Sequence, residues 1–244
     1  MVIDIFRLII ILSSIVLLIN SARAGGDGRI VIGNRVGEVQ LSEGPSEFMI
    51  EQRDCRYALN LGVGWHVKFN DPDVIFYLSK KRLKNNSIPY LSQAEMQSGY
   101  DWSFKSPGGN HGGWFGVMCE RRENFTWDES GRESSEQLAK IREANSQKCP
   151  ARLKDGKWVR PRFSQSMVAF RELRGADWIG FVMAFNDNVK TTTSLSVIRF
   201  CIVHNEDVIV GAMESAPQPL TVNPLFFGRV IEVLSTIRFF PKED

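Results

Sequence analysis

Residues 194–214 constrain the fold more tightly than any other part of the chain. Ser194 to His204 and Asp207 to Glu214 are two runs rich in β-branched and apolar residues, with VIRFCIV and VIVGAM at their centres, and only Asn205-Glu206 lies between them. Two such runs joined by a pair of turn-forming residues predict an antiparallel hairpin. Met167 to Leu173 and Trp178 to Phe185 suit two further strands, and Asn186-Asp187-Asn188 suits a turn. A chain with this many short extended runs must build an antiparallel sheet.

The N-terminal half extends the pattern. Arg29 to Ile32, Phe48-Met49-Ile50 and Val74 to Leu78 read as short strands. Tyr57 to Phe69 alternates, with Leu59, Leu61, Val63, Trp65, Val67 and Phe69 on one face, which predicts one half-buried strand with His66 on its polar side. Lys80 to Ser87 reads as an exposed turn, and residues 88–117 read as irregular. Glu133 to Asn145 is a charged helical segment whose narrow stripe, Leu138 and Ile141, predicts a surface helix. Pro224 to Leu234 has helical periodicity with proline suited to the first turn. The expected fold class is α+β: an antiparallel β-sheet with a C-terminal helix packed on it and a loop-rich central insertion, residues 86–157, on one side.

Residues 1–24 predict a compartment. Arg7 ends a short n-region that also holds Asp4, Leu8 to Ile19 is apolar apart from Ser13 and Ser14, and Ala22-Arg23-Ala24 offers the small residues of a cleavage site. This is the pattern of a secretory signal peptide, with Gly25 as the expected first residue of the mature chain. The apolar run falls short of the roughly 20 residues that cross a bilayer, so no stable membrane insertion is expected after cleavage. Residues 25–244 are then one exported domain, periplasmic or secreted. Removing Arg7, Arg23 and Asp4 lowers the formal net charge from +2 by one. So weak a charge gives no long-range attraction for nucleic acid.

Cys55, Cys119, Cys149 and Cys201 all fall in the expected mature chain. An even number in an exported protein points to disulfides, and three pairings of four cysteines are possible. The expected pairing is Cys119–Cys149, closing the helical segment, with Cys55–Cys201 joining two distant strands. The spacings match no metal-binding pattern, and no metal or other cofactor is expected.

Candidate chemistry is sparse. Ser106-Pro107-Gly108-Gly109-Asn110-His111-Gly112-Gly113 is the most unusual segment, and its glycines permit backbone conformations that would let a loop close over a partner. His111 could titrate near neutral pH. Trp102, Trp114 and Trp127 lie in irregular or charged sequence, where an exposed indole would be a typical anchor for a partner; the alternative is that they cap the core beneath long loops, since tryptophan is mostly buried. His66, His111 and His204 show no ligand spacing, and no nucleophile signature occurs. The basic run Arg152, Lys154, Lys157, Arg160 and Arg162 reads as a solvated strand or turn. Asn85-Asn86-Ser87 and Asn124-Phe125-Thr126 fit the glycosylation tripeptide of eukaryotic secretion.

The last third of the chain runs from antiparallel strands into the helical Leu225-Phe226-Phe227, Val230-Ile231 and Val233-Leu234, then Ser235-Thr236-Ile237-Arg238-Phe239. This order resembles the C-terminal half of the PsbP-like fold of exported accessory proteins. The resemblance implies an α/β sandwich serving as a binding or accessory module, without a catalytic residue to carry over. The expected function is a non-catalytic exported binding protein, of the immunity or accessory kind, that docks another protein through Trp102, His111, Trp114 and Trp127. The alternatives are an exported hydrolase using His111, and a cell-wall carbohydrate-binding protein using Trp102 and Trp114.

Overall fold

The structure, a computed structural model, describes residues 29–96, 99–107, 113–128, 135–161, 167–186, 195–214 and 220–241. The expected signal peptide, His111 and the turn residues Asp187 and Asn188 lie outside the described residues.

Eight strands form the central sheet. In spatial order they are β12 (Met167–Arg174), β13 (Ile179–Phe185), β14 (Val197–His204), β15 (Asp207–Met213), β9 (Gly113–Arg121), β6 (Asp73–Leu78), β5 (Trp65–Phe69) and β2 (Val39–Leu41). All neighbouring pairs are antiparallel. The β14–β15 hairpin turns where expected, with His204 opposite Asp207 and Asn205 at a φ of 52°. That left-handed conformation suits asparagine, whose side chain tolerates it better than most.

Each face of this sheet is covered by other elements. On one face lies a four-stranded sheet in the order β1 (Arg29–Ile32), β3 (Ser46–Gln52), β4 (Cys55–Leu61) and β16 (Arg238–Phe239), with α2 (Pro224–Leu234) beside it. Phe226 of α2 packs against Trp65, with ring centroids 5.9 Å apart. On the opposite face lie the hairpin β7 (Tyr90–Met96) and β8 (Gly99–Lys105), α1 (Glu136–Lys148), and the small hairpin β10 (Arg152–Lys154) and β11 (Lys157–Val159). One connected set of buried side chains runs through these layers, with the half-buried Val39, Leu91, Leu153 and Phe239 packed against it. The α+β class holds, and the C-terminal helix packs on the sheet as expected.

Three expectations are corrected. Tyr57 to Phe69 is not one strand: β4 and β5 belong to different sheets, and Val63 between them is 68% exposed. Gly64, at a φ of 84°, lets the chain turn from one sheet to the other. The alternation survives because Leu59, Leu61, Trp65, Val67 and Phe69 all reach the interior shared by the two sheets. Residues 88–117 are not irregular, since they hold β7, β8 and most of β9, and β9 sits inside the central sheet. Its run GWFGVMC lacks alternation because both of its sides are buried.

The third correction concerns the disulfides. Cys55 pairs with Cys119 and Cys149 with Cys201. The register explains why. Cys119 is opposite Ile209, whereas Cys201 is opposite Val210, so the two cysteines of the central sheet point to opposite faces. Cys119 meets Cys55 from the second sheet. Cys201 meets Cys149 at the end of α1. A Cys119–Cys149 bond would have to pass through the sheet.

Candidate functional site

The helix α1 organises the site, and it does so with polar residues. Ser135 caps it, its hydroxyl accepting from the backbone N–H of Leu138 at 3.3 Å. Leu138 and Ile141 are only half-buried; Arg142, Ala144, Asn145 and Lys148 form the buried face. Each polar member has partners. Arg142 donates to the carbonyls of Phe125 and Asp128, at 2.9 and 2.7 Å. Asn145 accepts from Trp102 Nε1 at 2.9 Å and donates to the carbonyl of Asn124. Lys148 donates to Glu214 Oε1 at 2.6 Å and lies 5.5 Å from the Trp102 ring centroid. Glu214 also accepts from Arg199 Nη2 at 3.0 Å. Buried charges persist only when paired and hydrogen-bonded in this way.

Beside this buried network an open groove of about 1540 Å³ runs between α1 and the β10–β11 hairpin. Arg199 and Phe185 lie at its sheet end. Its lining carries Arg142, Lys148, Arg152, Lys154, Arg160 and Arg199, against Asp128 and Glu143. Arg142, Lys148 and Arg199 are engaged in the contacts just described. The side chains of Arg152, Lys154 and Arg160 are exposed and make no hydrogen bond or ion pair among the described residues. The hairpin explains their direction: Leu153 and Trp158 pair and face inward, Trp158 against Phe181, so Arg152 and Lys154 on the alternate positions face out. Val159, opposite Arg152, is 45% exposed in the same lining.

A smaller recess of about 590 Å³ shares Trp127 and Leu153 with the groove and is bordered by Arg122, Asp155, Arg174 and Asp177. Trp127 stacks on Phe125 and meets Trp158 edge-on, and its indole N–H is buried with no hydrogen-bond acceptor. Asp128, at the groove, forms an ion pair with Arg122, at the recess.

Trp102, Trp114 and Trp127 do not form a shared exposed surface. Trp102 is 1% exposed and Trp114 3%, both within the core beneath the β7–β8 hairpin. They offer no edge to a partner, and the expectation that they do is corrected. Of the described members of the expected set, Trp127 alone borders a groove, and His111 lies outside the described residues. His66, expected on a polar face, is buried and stacks on Tyr77 at 4.6 Å, with Nε2 lacking a partner. Burial pushes its imidazole below the ordinary value. His204 sits 3.1 Å from Asp177 and stacks on Phe239. Neither cavity lining contains a histidine, and Ser146 and Thr126, the hydroxyls of the groove, bond to each other at 2.8 Å. No three histidine, cysteine or acidic residues converge on a metal-sized site among the described residues.

The basic run is legible in sequence, but the wall formed by its members Arg152, Lys154 and Arg160 is not, and neither are the roles of Lys148, Arg199 and Glu214; Arg162 lies outside the described residues. Arg199, an arginine inside VIRFCIV, was the visible signal: a charge within a buried strand must meet a partner.

No family model, curated protein or solved structure matches the chain. No helix among the described residues is long and apolar enough to cross a membrane.

Proposed function

We propose that the chain is a non-catalytic exported binding protein, of the accessory or immunity kind, that docks another protein on the face of the central sheet carrying α1. The open groove supports this reading above all: exposed cations without partners stand along an otherwise hydrogen-bonded scaffold. Two disulfides, each tying a covering element to one side of the central sheet, suit an oxidising compartment outside the cytoplasm. Cleavage before Gly25 belongs to the same proposal. The resemblance to the PsbP-like fold agrees with it in order only, α2 being followed by the short strand β16.

The test uses the mature, oxidised protein as bait in the extracytoplasmic fraction of the producing cells. One partner protein should co-elute in fixed ratio, and the purified pair should reassociate. His111→Ala should leave that association intact. A hydrolytic activity of the purified protein that disappears in His111→Ala would overturn the reading in favour of an enzyme.

A further inference from the structure

We infer that the groove between α1 and the β10–β11 hairpin receives an acidic, extended segment of a polypeptide, an inference that rests on the binding-protein reading above. The charge pattern selects the partner. Six cations and two acids line the groove, and three of those cations, Arg152, Lys154 and Arg160, are unmatched among the described residues. Arg142, Lys148 and Arg199 are held by carbonyls or by Glu214, so the matched charges sit at the base and the unmatched ones stand on the hairpin wall.

Spacing narrows the segment's conformation. Arg152 and Lys154 lie two residues apart on one side of β10, which places them about 6.6 Å apart along the strand, twice the rise per residue. An extended chain with carboxylates at alternate positions repeats at the same interval. Its intervening side chains would meet the apolar parts of the lining, Val159, Pro161 and Phe185. Nucleic acid fits less well. Tracking a phosphate backbone takes a continuous row of cations, whereas Asp128 and Glu143 interrupt this lining and the whole chain carries a formal charge of only +2.

The test is a titration of the oxidised protein against a short labelled peptide with glutamate alternating with valine, read by fluorescence anisotropy. The matching lysine-valine peptide, oligothymidylate and phosphatidylglycerol vesicles serve as the other probes. The glutamate peptide should bind, more weakly as salt rises, and the triple variant R152E/K154E/R160E should weaken it about tenfold or more. The triple variant K80E/K81E/R82E makes the same change of charge outside the groove and should bind as the parent does. All six are exposed side chains, and retained circular dichroism checks each fold. Equal loss in both triple variants would reduce the attraction to a diffuse field and overturn the inference. So would no binding of the glutamate peptide, or tighter groove-dependent binding of oligothymidylate or vesicles. A native partner captured equally by the parent and R152E/K154E/R160E would overturn the groove while leaving the binding function standing.

Discussion

At the scale of single residues, this protein buries polar groups and satisfies most of them locally. The indole N–H of Trp127 is one exception, and His66 is another. One ring nitrogen, Nδ1, lies 3.2 Å from the carbonyl of Gly64, and the other has no partner. Burial lowers its pKa, so the folded chain keeps the ring neutral where the unfolded chain is already protonated. The stability this contributes is complete above the unfolded value of about 6.5 and is lost as pH falls from there through the lower folded value. His66→Phe should keep the stack on Tyr77 and remove that loss. Urea midpoints measured at about pH 8 and about pH 5 should therefore fall further on acidification in the parent than in the variant. A parallel fall in both would show that His66 does not titrate in this way. Sequence placed His66 on a polar face because its neighbours alternate; nothing local could show that the face is covered.

At the scale of elements, the sheet depends on close approach as well as on alternation. Gly116 lies at the middle of β9, and a β-carbon there would overlap the ring of Phe104, which descends from the β7–β8 hairpin. Gly116→Ala should destabilise the fold by roughly 1–3 kcal/mol, the usual cost of overpacking a filled core, as a lower urea midpoint with an unchanged slope. An unchanged midpoint would mean that the hairpin does not rest on β9. This contact explains why β9 escaped the sequence pattern. Its glycines look like loop punctuation, yet Gly116 makes room for an aromatic ring from another element. The helix α1 was visible in sequence within three residues at each end, but its buried face was not. Hydrophobicity pointed to Leu138 and Ile141, whereas hydrogen bonds and an ion pair decided in favour of Arg142, Asn145 and Lys148.

At the scale of the whole molecule, the two disulfides hold the layers together. Cys55–Cys119 ties the four-stranded sheet to one face of the central sheet, and Cys149–Cys201 ties α1 to the other. Proteolysis without reduction should yield one linked peptide pair carrying Cys55 with Cys119 and another carrying Cys149 with Cys201. Recovery of Cys119 linked to Cys149 would contradict the assignment of faces. Replacing either pair by serine should cost about 2–5 kcal/mol in denaturant unfolding. The closed segments, 64 and 52 residues apart in sequence, are too similar in length for chain entropy to separate the two losses. Because Cys149 also borders the groove, loss of Cys149–Cys201 should weaken acidic-peptide binding more than loss of Cys55–Cys119.

Local pattern was sufficient for the strands from Met167 to Met213, the turn at Asn205, both helices and the α+β class, because those features follow from the periodicity and turn chemistry of a few adjacent residues. The partners of the four cysteines, the division of Tyr57 to Phe69 between two sheets, the burial of Trp102 and Trp114, and the wall of unmatched cations were decided only by the tertiary structure. Each depends on which side of a strand faces which covering element. That is fixed by contacts between residues far apart in sequence, which no window along the chain contains.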